Sequence, residues 1–197
     1  MRQIVASAKV SLDGVMQGEG GAQEDPSDGF DLGGWSAPYG DDKAGAAVMS
    51  LLGTLEKPND LLLGRKTYDI FANYWPHVPA DNPIGPVFNK AKKYVLSRGS
   101  KKPEWANTQE LRGIDDLKRV KAEGGAEIVL WGSSTLYPQL LDADLIDRLL
   151  LLICPIVLGK GKRLFGSLSH PFAPKLTKYE VTSKGVIIAS YERTPER

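Results

Sequence analysis

Short apolar runs that stop abruptly and give way to helical spacing constrain this chain more than any other feature. DLLLG (60–64), KYVLS (93–97) and EIVLW (127–131) are too short for buried helices. Their near-continuous apolarity suits strands covered on both faces of a parallel sheet. Residues 4–10 alternate loosely and read as a first strand. Apolar residues at helical spacing over 42–55 predict a helix, and 65–71 reads as a short one. Residues 114–122 read as a helix with Asp115 or Asp116 suited to its N-terminal dipole, and 133–141 as a helix that starts with Ser and Thr. Residues 145–156 are apolar and long enough for a core strand, and 176–182 and 186–192 flank Ser183, Lys184 and Gly185 as a C-terminal hairpin. Residues 13–40, rich in Gly, Asp, Ser and Pro, form a long loop of the kind that is usually functional, and 75–90, with four prolines, reads as surface loop. The alternation predicts one α/β domain over 1–197, with a mostly parallel central sheet, flanking helices and a C-terminal antiparallel hairpin.

Composition narrows the function classes. A formal net charge of +1 gives no global field to recruit nucleic acid or an anionic membrane. The longest apolar run, LLLLICPIVLG, is interrupted by Pro155 and falls far short of a membrane span. The N-terminal segment lacks an apolar stretch suited to a secretory signal and reads as a strand, so a cytoplasmic location is expected. The single cysteine, Cys154, sits in an apolar run where it acts as a small hydrophobe. His77 and His170 lie in Pro-flanked loops without a nearby ligand pattern, so no metal is expected.

In open α/β sheets, ligands bind outside the carboxyl ends of the strands. Three strand ends here carry residues suited to phosphates. At the first, Gly64 lets backbone approach closely, the next helix turns its free N–H groups outward, and Arg65, Lys66 and Thr67 add charge and a hydroxyl. A solvated helix start reads equally well. At the second, Ser97 and Arg98 follow KYVLS; an Arg there can hold the 2′-phosphate of NADP, or be solvated. At the third, Gly132, Ser133, Ser134 and Thr135 either cradle a pyrophosphate or cap a helix. The spacing is not the G-x-G-x-x-G fingerprint. Gly159, Lys160 and Gly161 lack Walker spacing and read as a turn. Trp35, Tyr39, Trp75 and Trp105 could stack on a flat heterocycle or pack the interior.

Together the segments resemble the dihydrofolate-reductase-like superfamily, in the branch of the riboflavin-biosynthesis reductase domain. The matching pieces are SLDG (11–14), LLLGRKTYDIFANYW (61–75), KYVLS with Arg98, IVLWGSSTLYPQLL (128–141) and LIDRLLLLICPIVLGKGKRLF (145–165). They occur in the family's order. The resemblance implies NADPH bound across the strand ends, with Gly64, Arg65 and Thr67 on phosphates and Ser97 and Arg98 at the 2′-phosphate. It implies that Gly132, Ser133, Ser134, Thr135 and Leu136 wrap the pyrophosphate, and that Val15 and Met16 approach the nicotinamide. It also implies a homodimer through edge strands. Arg148 stands where members often have Glu, a change at a surface or dimer contact.

The expected chemistry is hydride transfer from NADPH to a planar, electron-poor C=N or C=O bond of a small heterocycle, pterin-like or aminopyrimidine-like. The proton comes from water or from Asp13, Asp41 or Asp42. Asp13 also reads as half of an Asp-Gly turn. The rival reading is a nucleotide-binding sensor or scaffold without turnover.

Overall fold

In the computed structural model, residues 1–99 and 101–194 are described. The chain divides into two units, residues 1–6 with 48–133 and residues 7–47 with 134–197. Strand β1 (Ile4–Ser11) begins in the first and continues in the second.

In the first unit, β2 (Asp60–Gly64), β3 (Lys93–Leu96), β4 (Thr108–Leu111) and β5 (Ile128–Trp131) lie in the order β4-β3-β2-β5-β1. Three of these pairings are parallel, with Leu62 opposite Tyr94, Leu96 opposite Leu111, and Leu61 opposite Val129. Leu61, Leu62 and Leu63 are buried because both sheet faces are covered. Helix α2 (Arg65–Tyr74) follows β2 directly, and α4 (Ile114–Ala122) spans the residues its periodicity predicts. The core gathers Leu52, Leu61, Leu63, Tyr68, Phe88, Val95 and Trp105, with Trp75 packed against it. Trp75 and Trp105 are therefore packing residues.

Two elements of this unit depart from the sequence reading. Residues 75–90 are not all loop: helix α3 (Gly85–Lys90) starts with Pro86 in its first turn. Proline's fixed φ and missing N–H suit that position, so it opens the helix. Strand β4 has no apolar run to mark it: Gln109 is exposed on the sheet's edge and only Leu111 is buried.

In the second unit, β6 (Arg148–Cys154), β7 (Lys175–Val181) and β8 (Ile187–Glu192) give the order β1-β6-β8-β7, with β8 antiparallel to both neighbours. This is the expected C-terminal hairpin. Helix α1 (Asp42–Met49) is shorter than the spacing over 42–55 predicts. Gly53 adopts a left-handed φ of 72° in the turn that follows. Helix α5 (Leu136–Asp142) starts later than predicted, because Gly132 and Ser133 take left-handed conformations instead. The long loop is fixed by its own polar groups. Lys9 of β1 pairs with Glu19 at 3.1 Å, the Ser36 hydroxyl donates to the Glu19 carbonyl, and the Trp35 indole N–H donates to the Gln17 carbonyl at 2.9 Å. Among the described residues, no helix is long and apolar enough to cross a membrane.

Candidate functional site

The four adjacent parallel strands of the first unit end side by side, and each end carries polar or charged residues. After β5 the chain reverses through Gly132 (φ 61°) and Ser133 (φ 67°). Serine rarely adopts this conformation, which is held here by its own side chain. The Ser133 hydroxyl accepts the Gly64 N–H at 2.7 Å and lies 2.9 Å from the Thr67 hydroxyl. A Cβ on Gly132 would stand 3.0 Å from Thr67 Cγ2 and 3.1 Å from its Oγ1 at a left-handed φ, so the position favours glycine. Gly64, Thr67, Gly132 and Ser133 thus converge. Ser133 is a tie between two strand ends and not a helix cap. The capping alternative is overturned at Thr135 too, which precedes α5 without a side-chain cap bond.

Arg65 opens α2, but its guanidinium turns along the helix. It grips Asp69 through Nε at 3.0 Å and Nη2 at 2.6 Å, donates to the Lys101 carbonyl at 2.7 Å, and lies over the Tyr68 ring. The Asp69 hydrogen bond raises its pKa further. Ser97 is buried and its hydroxyl accepts the Gly99 N–H at 3.1 Å, making a tight turn after β3. Arg98, at that turn, is exposed, and among the described residues its guanidinium has no hydrogen bond or ion pair. A third cation was not anticipated. Arg112, directly after β4, donates to the Gly99 carbonyl at 2.8 Å and pairs with Glu110 at 3.0 Å. Its signal in the sequence was hidden with β4, although Arg112 and Gly113 before a helix bring together the same residue types, in the opposite order, as Gly64 and Arg65. A groove of about 480 Å³ runs from Arg65 along α2 and the 101–106 segment, lined by Tyr68, Asp69, Lys101 and Trp105 among others. Three arginines and a glycine turn that admits close backbone approach fit the phosphates of a dinucleotide.

In the second unit, Asp13 accepts the Ser11 hydroxyl at 2.7 Å and the backbone N–H groups of Leu158 and Gly159 at 3.0 and 2.9 Å. The Ser11 bond, followed by those backbone donors, brings its pKa down to about 2. Asp13 is an ionised tie between β1 and the 158–159 turn, with no proton to give at neutral pH. Asp41 accepts the Ala44 N–H at 2.9 Å, capping α1, and also the N–H and hydroxyl of Ser183. The helix N–H leads in lowering its pKa. Asp42, at the first position of α1, is exposed. Val15 is fully buried; a Cβ on Gly161 would fall 2.6 Å from it, so the 159–161 segment is a close-packed turn, as its spacing implied. The Met16 N–H donates to the Lys162 carbonyl. Ser134, Thr135 and Leu136 also lie in this unit, Leu136 buried at the start of α5. Burial pushes the Cys154 thiol up to about 11, consistent with an inert packing residue.

Comparison with known proteins agrees with this architecture. The uncharacterized YyaP protein of Bacillus subtilis is 26% identical over 201 residues, covering 96% of this chain and 94% of its own. The uncharacterized YwjB protein of the same organism is 27% identical over 176 residues, covering 86% of each. A putative riboflavin biosynthesis protein from Shewanella superposes with a TM-score of 0.66 at 21% identity, covering 98% of this chain and 99% of that one. A pyrimidine reductase-like protein from Corynebacterium diphtheriae gives 0.64 at 16% identity, covering 99% and 93%. Dihydrofolate reductase from Enterococcus faecalis, solved with NADP(H), gives 0.63 at 14% identity, covering 98% and 97%. The fold is dihydrofolate-reductase-like. The RibD C-terminal domain family matches residues 2–188, and the chain belongs to that family.

Proposed function

We propose that this protein is an NADPH-dependent reductase that delivers hydride to a C=N or C=O bond of a small pterin-like or aminopyrimidine-like heterocycle. The observation that carries this reading is the row of phosphate-suited groups at neighbouring strand ends: Arg112, Arg98, Arg65 and the Gly132–Ser133 turn beside Thr67. The similar dihydrofolate reductase holds NADP(H), which supports the same coenzyme here. When bound, the coenzyme supplies the hydride. The chain's part is to orient it. Arg98 takes the 2′-phosphate, and the Gly132–Ser133 turn presents backbone to the pyrophosphate, joined in the family's manner by Ser134, Thr135 and Leu136. Val15 and Met16 are assigned to the nicotinamide by the same resemblance. With Asp13 and Asp41 committed as hydrogen-bond acceptors, we place proton delivery at water, with Asp42 the remaining carboxylate of the three to relay it. A cytoplasmic location and a homodimer belong to the same proposal.

The commitment of Asp13 and Asp41 also favours a second reading, a protein that binds NADPH without turnover. Oxidation of NADPH, followed by loss of its absorbance against a panel of pterins and pyrimidine ribosyl compounds, separates the two. Coenzyme binding with no oxidation on any substrate would favour the sensor. No binding would overturn both.

A further inference from the structure

Lys93 is among the most deeply buried side chains of the first unit, yet among the described residues no acid pairs with its ammonium. Lys93 Nζ donates to the Asn89 carbonyl near the end of α3 at 2.8 Å and to the Ala106 carbonyl at 3.0 Å, and stands 4.3 Å from the centre of the Trp105 ring. Two carbonyls take two of its three N–H groups, and the third has only the ring face. A ring face replaces part of the hydration that a buried charge loses, not all of it. Burial accordingly pulls the Lys93 pKa down to about 8. The titratable groups around it are otherwise engaged. Asp60 on β2 holds Arg2, Glu110 on β4 holds Arg112, and the Tyr68 hydroxyl on α2 accepts the Trp105 N–H. Lys92, on the same strand, lies over the Tyr94 ring, while Lys90 on α3 and Glu104 beside the indole are exposed.

The 104–107 segment forms one wall of the groove along α2, through Glu104, Trp105 and Ala106. It belongs to no helix or strand, and Glu104, Ala106 and Asn107 are exposed. Its inward anchors include the Trp105 N–H on the Tyr68 hydroxyl at 2.7 Å, the indole N–H on Asn89 at 2.9 Å, and the Lys93 bond to Ala106. Lifting the segment returns the Lys93 ammonium to water. The charged form is therefore favoured in the open arrangement. The neutral amine is favoured in the closed one, where its two N–H groups match the two carbonyls. We propose that residues 104–107 are a proton-linked flap on the groove, which protonation of Lys93 opens and loss of that proton closes. The device lies within the first unit and needs no coenzyme, so it stands apart from the NADPH reading.

Native-state hydrogen exchange of the whole protein, read as protection factors at the Trp105 backbone and indole N–H groups, is the test. A closed-state pKa of about 8 below an open-state value of roughly 10.4 sets the sign: the closed form gains on the open one as pH rises between them. From about pH 7 to about pH 9, protection of both groups should rise about tenfold. Lys93→Met and Lys93→Gln have nothing to titrate there and should abolish the rise, with Gln keeping a donor for the carbonyls. The Leu62 and Leu63 amides of β2 should be better protected than Trp105 throughout, because the flap opens without unfolding the sheet. Wild-type protection that stays level across that pH range overturns the proposal. So does a Trp105 protected as well as Leu62, which would mean that the segment opens only on global unfolding, or an equal rise in either variant. Should neither variant fold, the wild-type pH dependence and the comparison with Leu62 still decide.

Discussion

Arg98 and Arg65 carry the same charge at neighbouring strand ends but differ in what they already hold. Arg65 is locked to Asp69 and the Lys101 carbonyl, whereas Arg98 is exposed. Arg98→Ala is therefore expected to weaken NADPH by about ten- to a hundredfold and to leave NADH nearly unchanged, the size of one charge-assisted hydrogen bond. Arg65→Ala should weaken both coenzymes by similar factors, because it loosens the segment holding Lys101. Titration of both coenzymes against the two variants checks this, and equal losses for Arg98→Ala would sink the assignment. Asp13 makes a different kind of prediction. Its folded pKa of about 2 lies below the value of roughly 3.9 for an unfolded chain. Its contribution to stability is thus present above the unfolded value and is lost as pH falls through the folded one. Asp13→Asn should lower Tm near neutrality and flatten its dependence on pH between about 4 and 2. A variant whose melting curve parallels wild type across that window would show that Asp13 is not the tie described. Neither role was separable in the sequence, where SLDG is compatible with a turn, a catalytic acid or both.

At the scale of elements, the Gly132–Ser133 turn is where local preference yields to the site. Gly132→Ala is expected to cost about 1–3 kcal/mol, from left-handed strain and contact with Thr67. Pairing it with Thr67→Ser removes the nearest methyl and should recover part of the loss. Chemical denaturation of the single and double variants measures the coupling, and simple additivity would refute the contact as its source. Ser and Thr before an apolar run suggest a helix start, and that rule placed the helix at 133 because sequence alone does not show a hydroxyl reaching across to Gly64. The strands DLLLG, KYVLS and EIVLW were legible because both faces of a parallel sheet demand apolar residues. Strand β4 was not, since an edge strand with one exposed side needs no such run, and with it went Arg112 and Glu110. Helix α3 was hidden by prolines that suit a first turn as well as they suit a loop. Gly64, Thr67, Gly132 and Ser133 were all named from sequence, but their mutual contact depends on strand order, which no local pattern carries.

For the whole molecule, the homodimer that the family resemblance implies cannot draw on the apolar run 145–156. The fold uses that run internally. Strand β6 lies between β1 and β8, and Leu149, Leu151, Leu152 and Cys154 are buried. The surface suited to a second copy is instead β7, the edge of its unit, where Tyr179 is 69% exposed and Val181 53%. Val181 pairs with Ile187 of β8, itself 39% exposed, so the apolar residues continue across the hairpin. An uncovered apolar edge is a template for pairing with another chain. A two-fold axis would bring β7 antiparallel to its own copy, the self-complementary arrangement of most dimers. The register shift between Leu176 and Lys178 limits regular pairing to the residues that follow it. A register centred on Tyr179 sets Lys178 of one copy against Glu180 of the other, so the charges as well as the apolar face agree. Light scattering at micromolar concentration is expected to give twice 21.5 kDa for wild type. Tyr179→Lys places like charges opposite each other at the centre of that register and should give the monomer, with NADPH affinity retained because β7 is not among the strand ends assigned to the coenzyme. A wild-type protein that scatters only as a 21.5 kDa species would remove the dimer from the proposal, and a Tyr179→Lys dimer would move its interface elsewhere.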